Sequence, residues 1–409
     1  MTSPSEQAWG TPPSARYDAI AENFRRLFRD IAQDAARRDT ERRLPFDEIS
    51  ALRAAGFAGL RVPQSHGGSG VSLPEYFSLL VELAEADSNL VQIVRGHAGF
   101  VENVLNSRDQ AFRDRWLNRI GREGAFVGPA WTEPGDAPQA LFATTVSREH
   151  DAYRLNGTKF YTTGALFSDW IDVGSTNDDG VLVSAVVRRD VSGVEIDDDW
   201  NGFGQKLTAS GTARFTNAVV EAGDVTLADD GFRYATGFFQ LFHLAALAGI
   251  GRRLTNDIAG AVRDRRRNFS NANAVLARND PQILQVVGKL RSSAYVSSII
   301  VEKGAEALQR AYDVRFQDQP EREDAINAIA ELEISQALSV ISTLILDATT
   351  IAFDALGASA TFKDLALDRF WRNARTLTSH NPRVFKERVI GDYAVNDTLP
   401  PYQWRIGVA

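Results

Sequence analysis

Near its carboxyl end the sequence runs Arg369-Phe370-Trp371-Arg372-Asn373-Ala374-Arg375-Thr376-Leu377-Thr378-Ser379-His380-Asn381-Pro382. Guanidinium groups of this kind can grip a phosphate or carboxylate at two points, and His380 is of the type that moves a proton near neutral pH. A charged run is equally ordinary in a solvated, salt-bridged connection, so its surroundings must decide. A second basic run, Arg263-Asp264-Arg265-Arg266-Arg267-Asn268-Phe269-Ser270, repels itself unless an anion lies among its guanidiniums or water screens them. A third group sets small hydroxyl side chains beside glycine or at strand ends: Trp131-Thr132-Glu133-Pro134-Gly135 and Thr162-Thr163-Gly164. Such positions suit hydrogen bonding to the edge of a flat heterocycle, although Thr next to Gly is also common turn chemistry.

Composition removes several other chemistries. There is no cysteine, hence no disulfide, thiolate metal site or cysteine nucleophile. The five histidines, His66, His97, His150, His243 and His380, form no H-x-x-x-H or H-E-x-x-H arrangement, so no metal site is expected. A net charge of -8 without a Lys/Arg-rich tract argues against nucleic acid as a partner. The segment Met1 to Arg16 is polar and has no apolar signal region. The apolar stretch from Thr236 to Ile250 is one core helix long and carries Gln240 and His243, short of a membrane span. A cytoplasmic soluble protein without a membrane partner is expected.

The elements that position these residues fall into three units. After a flexible tail (1–16), Ile20, Phe24, Leu27, Phe28 and Ile31 recur at helical spacing, and residues 17–124 read as an N-terminal helical domain. From 125 to 230 short β-branched and aromatic runs alternate with Gly, Asp and Asn. Asn156-Gly157 reads as a two-residue hairpin turn and Asp178-Asp179-Gly180 as another, giving a middle antiparallel β domain. Residues 231–409 return to helix. One spans Phe238 to Val262, one opens at Asp280-Pro281 and one at Pro320, which makes a C-terminal helical bundle domain. Helices, sheet, helices in segregated order is an α+β protein.

Taken together, Thr132-Glu133-Pro134-Gly135, Leu155-Asn156-Gly157-Thr158-Lys159-Phe160-Tyr161-Thr162-Thr163-Gly164 and Gly202-Phe203-Gly204-Gln205-Lys206-Leu207-Thr208-Ala209-Ser210-Gly211-Thr212 resemble, in order and spacing, the β domain of the acyl-CoA dehydrogenase superfamily. The likeness extends over about residues 17 to 396. It implies an acyl-CoA dehydrogenase-like fold with a C-terminal four-helix bundle and a flavin between the β domain and that bundle. Trp131 and Thr132 would then line the pyrimidine side, Tyr161 stand beside the ring and Thr163 near N5. Arg266, followed three residues on by Phe269 and then Ser270, would reach the flavin phosphates of a neighbouring subunit in a homotetramer or homodimer. Arg375 is a further cofactor-binding candidate.

Within that superfamily, dehydrogenases commonly place a catalytic Glu where this chain has Asn381, and Asn cannot act as a base. The Trp371-to-Thr376 run, with His380 two residues before Pro382, resembles instead the dibenzothiophene monooxygenase and sulfur-acquisition branch. That resemblance implies reduced FMN supplied by a separate flavin reductase and O2 activated as a C4a-hydroperoxide. A small apolar substrate would be oxygenated at sulfur, nitrogen or aromatic carbon, with His380, His97 and Thr163 as catalytic residues. Leu377 stands where these relatives often carry a second His, while His66, His150 and His243 read as structural. The alternatives are an FAD-dependent dehydrogenase with a displaced base and a catalytically silent scaffold of the same fold.

Overall fold

The computed structural model describes residues 8–135, 142–228 and 231–403. Asp136-Ala137-Pro138-Gln139, which follows the Thr132 to Gly135 stretch, and Asp229-Asp230, at the end of the expected β domain, lie outside them. Helices come first: α1 (Tyr17–Glu41), α2 (Phe46–Ala54), α3 (Leu73–Ala86), α4 (Ser88–Asn106) and α5 (Gln110–Glu123). The start of α3 is set locally. The Ser72 hydroxyl accepts from the Glu75 N–H at 3.4 Å, the Glu75 carboxylate accepts from the Ser72 N–H at 2.7 Å, and Pro74 occupies the first turn. The same carboxylate binds Arg16 at 2.7 Å. Trp9 is buried, with the guanidiniums of Arg291 and Arg252 at 4.0 and 4.9 Å from its ring. Residues 8–16, expected within a flexible tail, are thus anchored, because the tryptophan finds a cationic slot that covers its face.

The strands follow as β1 (Val127–Ala130), β2 (Thr145–Glu149), β3 (Ala152–Lys159), β4 (Trp170–Asn177), β5 (Leu182–Arg188), β6 (Val194–Ile196), β7 (Ala213–Glu221) and β8 (Val225–Leu227). They join in one sheet of order β6-β7-β3-β2-β4-β5-β8, with β1 on β4. Two pairings, β1 with β4 and β2 with β4, are parallel, so the sheet is mixed where a purely antiparallel one was expected. The expected hairpin at Asn156-Gly157 is also corrected. β3 runs straight through it, the register against β7 slips between Leu155 and Gly157, and the reversal lies at His150-Asp151. Gly157 is needed for close approach: at φ +150° a Cβ there would lie 2.4 Å from the Thr144 hydroxyl oxygen. Glycine marks a bulge here, not a turn.

Helix resumes with α6 (Ala235–Asp264), α7 (Pro281–Asp313), α8 (Pro320–Ile351), α9 (Asp368–His380) and α10 (Arg383–Asn396). The Asp280 carboxylate caps α7 by accepting from the Gln282 and Ile283 N–H groups, with Pro281 opening the helix. The segment Pro320–Ala355 is, by length and composition, long and apolar enough to cross a membrane. In the fold this helix packs against α6, α7, α9 and α10. The two helical units share one continuous core, in which Phe77 meets Phe238 at 5.5 Å and Phe242 at 5.2 Å. Close helix approach is permitted by Gly249, where a Cβ would lie 2.3 Å from that of Ala84. The sheet has its own core, built on Val146, Leu155, Ile171, Val173 and Phe215.

The α9 helix buries Phe370, Ala374 and Leu377, spaced four and three apart, and turns Trp371 and Arg375 outward. Two of its three arginines work inside the protein. Arg369 binds Asp257 at 2.9 Å, and Arg372 binds the buried Asp39 of α1 at 2.6 Å and the Phe203 carbonyl at 3.1 Å. Lys206 reaches the same Asp39 carboxylate at 3.2 Å. The Asn373 side-chain oxygen accepts from the Gln205 N–H at 2.7 Å, and a Cβ on Gly204 would lie 2.1 Å from the Arg372 carbonyl oxygen. Asp39 therefore ties α1, α9 and the 203–206 loop of the β domain together. Removing one partner of a buried ion pair leaves the other charges uncompensated. We expect Asp39→Ala to lower unfolding free energy by about 3 to 5 kcal/mol, measured by urea denaturation.

Candidate active site

One wall of the site is the end of the sheet. The Thr132 carbonyl accepts from the Phe160 N–H at 2.8 Å, which brings Trp131 and Thr132, just beyond β1, alongside Tyr161 and Thr163, just beyond β3. The Trp131 indole N–H donates to Asp172 at 2.9 Å and is thereby fixed in direction. Burial pushes the Asp172 carboxyl upward, against the bonds from Ser184 and Trp131. Tyr161 takes φ +58° and leaves its ring exposed beside Phe160 and Trp200.

Thr163 heads a line of hydroxyls: Thr163 to Ser210 at 2.8 Å, Ser210 to Thr208 at 2.8 Å, and Thr208 to the Gln205 carbonyl at 2.8 Å. A carbonyl only accepts and each hydroxyl has one proton. Thr208 therefore donates to Gln205, Ser210 to Thr208 and Thr163 to Ser210, which leaves the Thr163 oxygen as an acceptor at the open end.

The second group of candidates is helical. His380 ends α9, and its Nδ1 meets the Asn381 side-chain oxygen at 3.2 Å, so that nitrogen carries the proton. The Asn381 amide donates in turn to the Gln240 side-chain oxygen at 2.6 Å. One turn along α6, the His243 ring lies 4.4 Å from that of His380, and neither of its nitrogens has a protein partner. His380 is open to water yet closely surrounded by protein, as a side chain lining a recess should be. Burial first, and then the charge of Arg95, hold its pKa down to about 4, against the Asn381 bond. His243 is held well below the ordinary value by burial, with smaller effects from His380 and Arg95. Both rings are neutral at pH 7. His243, which read as structural in the sequence, is thus part of this cluster, and its apolar neighbours on α6 gave no sign of that.

The remaining candidates divide. His97 does not reach the recess: Nε2 donates to the Ala58 carbonyl at 3.0 Å and Nδ1 accepts from the Val127 N–H at 3.2 Å, with the ring buried against Phe126. The His97 of the catalytic expectation has both ring nitrogens taken by backbone groups and braces α4 against β1. Arg266, Phe269 and Ser270 are exposed at the far end of α6, beside a cleft also lined by Leu356 and Leu365, and none is brought to the His380 cluster. Arg375 is exposed on α9 one turn from Trp371, which stacks on Phe203 at 5.9 Å. Arg375 and Arg266 make no ion pair among the described residues.

The described residues fit a flavin by their donor set. A ring edge needs hydrogen-bonding side chains beside it, which Thr163 and Thr132 offer, while the Phe160, Thr162 and Thr163 N–H groups are taken by the Thr132, Gly211 and Tyr161 carbonyls. A phosphate tail needs cations not already neutralised, as Arg266 and Arg375 are. The buried side-chain oxygen of Gln205, next to this row, has no protein partner.

Family models describe two parts of this chain. Residues 14–123 match the acyl-CoA dehydrogenase N-terminal domain and residues 241–383 the acyl-CoA dehydrogenase C-terminal domain. The chain belongs to the acyl-CoA dehydrogenase superfamily. It is 28% identical over 95% of its length, and 97% of the relative's, to a probable FMNH2-dependent monooxygenase, SfnC, of Pseudomonas putida. It is 26% identical, with the same coverage, to the dibenzothiophene monooxygenase of Mycolicibacterium goodii. Among solved structures, FMN-bound TdsC from Paenibacillus sp. A11-2 superposes with a TM-score of 0.85 at 25% identity, covering 94% of this chain and 99% of that one. Methanesulfinate monooxygenase MsuC from Pseudomonas fluorescens gives 0.83 at 27%, with the same coverage.

Burial lowers the His97 pKa to about 4, from an ordinary value near 6.5. The neutral ring is the folded form, so its contribution to stability is complete above about pH 6.5 and is lost as the pH falls towards 4. About 3 kcal/mol should disappear between pH 7 and pH 4 through this residue alone. His97→Gln, which keeps a donor and an acceptor, should remove that share of the slope when unfolding free energy is followed against pH.

Proposed function

We infer that this protein is a flavin-dependent monooxygenase of the two-component kind. It uses reduced FMN from a separate flavin reductase, together with O2, to oxygenate a small substrate at sulfur, nitrogen or an aromatic carbon. The observation that carries the reading is the neutral chain His380–Asn381–Gln240 at the end of α9. Removing a proton next to a thioester needs a carboxylate or similar base. Among the described residues no Asp or Glu bonds to or pairs with His380, His243, Asn381, Gln240 or Arg95. Oxygen transfer has the opposite need, neutral donors and acceptors in a site that holds water out.

Bound reduced FMN supplies the electron pair that activates O2. Trp131, Thr132, Tyr161 and Thr163 would hold the ring, and the Thr163 oxygen, left as an acceptor by its hydroxyl line, suits the N–H that a reduced flavin carries at N5. Arg266, with Phe269 and Ser270, and Arg375 would serve the phosphate end. His380, with its proton held on Nδ1 by Asn381, presents Nε2 as the atom that accepts and returns a proton near the oxygen being transferred. A homotetramer in the cytoplasm belongs to the same reading. It is supported by the outward-facing Arg266 and by the exposed apolar side chains Leu284, Tyr295, Val296 and Val340 on α7 and α8.

The test supplies reduced FMN through a reductase and follows oxygen uptake, hydrogen peroxide and oxygenated product with aryl sulfides and indole. The wild type should delay peroxide release after oxygen uptake. His380→Ala should shorten that delay and lower product per FMN oxidised by at least about tenfold. Equal coupling in the two proteins would remove His380 from the mechanism. Thr208→Val, which breaks the hydroxyl line, should narrow the preference for reduced over oxidised FMN in equilibrium binding.

A further inference from the structure

Arg95 is the charged group in this pocket without a counter-charge. It lies on α4, partly exposed, and is near enough to His243 and His380 for its charge to act on both rings. Its Nε donates to the Phe239 carbonyl at 3.3 Å and its guanidinium lies 4.8 Å from the Phe239 ring centre. Among the described residues, its two terminal nitrogens have no protein acceptor and no carboxylate comes within ion-pair distance. The contrast with the interior is sharp. Arg25 meets Glu82, Arg38 meets Glu48 and Asp87, Arg61 meets Glu102, and Arg369 meets Asp257. An arginine removed from bulk water without a partner is costly, and burial lowers the Arg95 pKa to about 10, which still leaves it charged at pH 7.

Two neighbours share its condition. The Phe239 carbonyl that holds Arg95 is one helical turn before His243, whose ring nitrogens are both unpartnered although the residue is 1% exposed. The buried Gln240 side-chain nitrogen also has no partner. A forked cation, an imidazole and an amide N–H thus stand without acceptors, while the Phe239 ring supplies an apolar flank. A planar oxyanion is the ligand that a guanidinium fork takes at two points, and neutral N–H groups complete its shell.

We propose that the substrate of this pocket has an apolar body ending in an oxyanion of the carboxylate or sulfinate type, and that Arg95 holds that end. The inference rests on the monooxygenase reading only for the reaction that follows; the binding stands apart from it. Arg95, the partly exposed group of the three, makes the contact, with the buried Gln240 and His243 behind it, and the body of the ligand lies towards His380. The anion also offsets the penalty that the Arg95 charge places on protonating either imidazole.

The experiment is equilibrium binding to the purified full chain at pH 7 without flavin or reductase, by calorimetry, with benzoate and benzenesulfinate as probes and neutral benzamide as control. One or both anions should saturate the wild type, with benzamide at least about tenfold weaker. Arg95→Met should lose at least about tenfold in anion affinity, leave benzamide unchanged, and melt no lower than the wild type, since an unpaired charge has been removed from a crowded site. No saturable binding of either anion, equal binding of benzoate and benzamide, or unchanged anion affinity in Arg95→Met overturns the proposal. So does a variant that loses FMN affinity and keeps benzoate affinity, which would make Arg95 a flavin contact. Anion binding through Arg95 in a protein that never couples oxygen to product would sink the monooxygenase reading and leave this one standing.

Discussion

The Asp39 carboxylate is the constraint on which the arrangement of the site depends. It is buried between Arg372 of α9 and Lys206 of the β domain, and so couples three parts of the chain that are far apart in sequence. The Asn373 bond to Gln205 and the absence of a side chain at Gly204 bring α9 down onto the loop. Because α9 is a rigid rod about three to four turns long, fixing its beginning also fixes its end. His380 is thereby held beside α6, and the hydroxyls that start at Thr163 hang from the carbonyl of the same docked Gln205. The placing of α9 against the β domain thus follows from the Asp39 ion pairs together with the Gln205 and Gly204 contacts.

The pocket between the walls is organised by charge state. Its imidazoles are kept neutral by crowding and by a nearby guanidinium, and among the described residues the bonding partners of His380, His243, Asn381, Gln240 and Arg95 include no carboxylate. A neutral lining in low-dielectric surroundings makes each remaining donor or acceptor stronger than it would be in water. It also makes an unmatched positive charge conspicuous. Arg95 and the empty valences of His243 and Gln240 point to something the ligand must bring with it, in the way that unsatisfied buried groups in native proteins ask for an explanation.

Much of the scaffold could be read directly. Helix starts at Ser72, Asp280 and Pro320 rest on capping side chains and prolines that act within a turn, so their meaning does not depend on distant contacts. Misreadings came where a local signal has two uses. Asn156-Gly157 has the composition of a hairpin turn, but the glycine is required because Thr144 crosses above it, a contact visible only once β2 and β3 are paired. His97 and His243 differ in a way that their sequence surroundings do not record. Both are buried histidines on helices, and what separates them is whether backbone groups from other elements reach their nitrogens: Ala58 and Val127 reach His97, and none reaches His243.

By itself the sequence determined the segregated helix-sheet-helix order, the absence of cysteine chemistry, and the placing of a neutral Asn381 beside His380. These are matters of composition, periodicity and residue identity, which a linear string records in full. Only the tertiary structure decided which of the α9 arginines are consumed by internal ion pairs, which histidine lines the recess, and that Arg95 stands without a counter-charge. The physical reason is the same for each. The state of a polar group is set by the partners within a few ångströms, and for these residues the partners come from α1, α6 and the β domain, more than a hundred residues away along the chain for several of the decisive contacts.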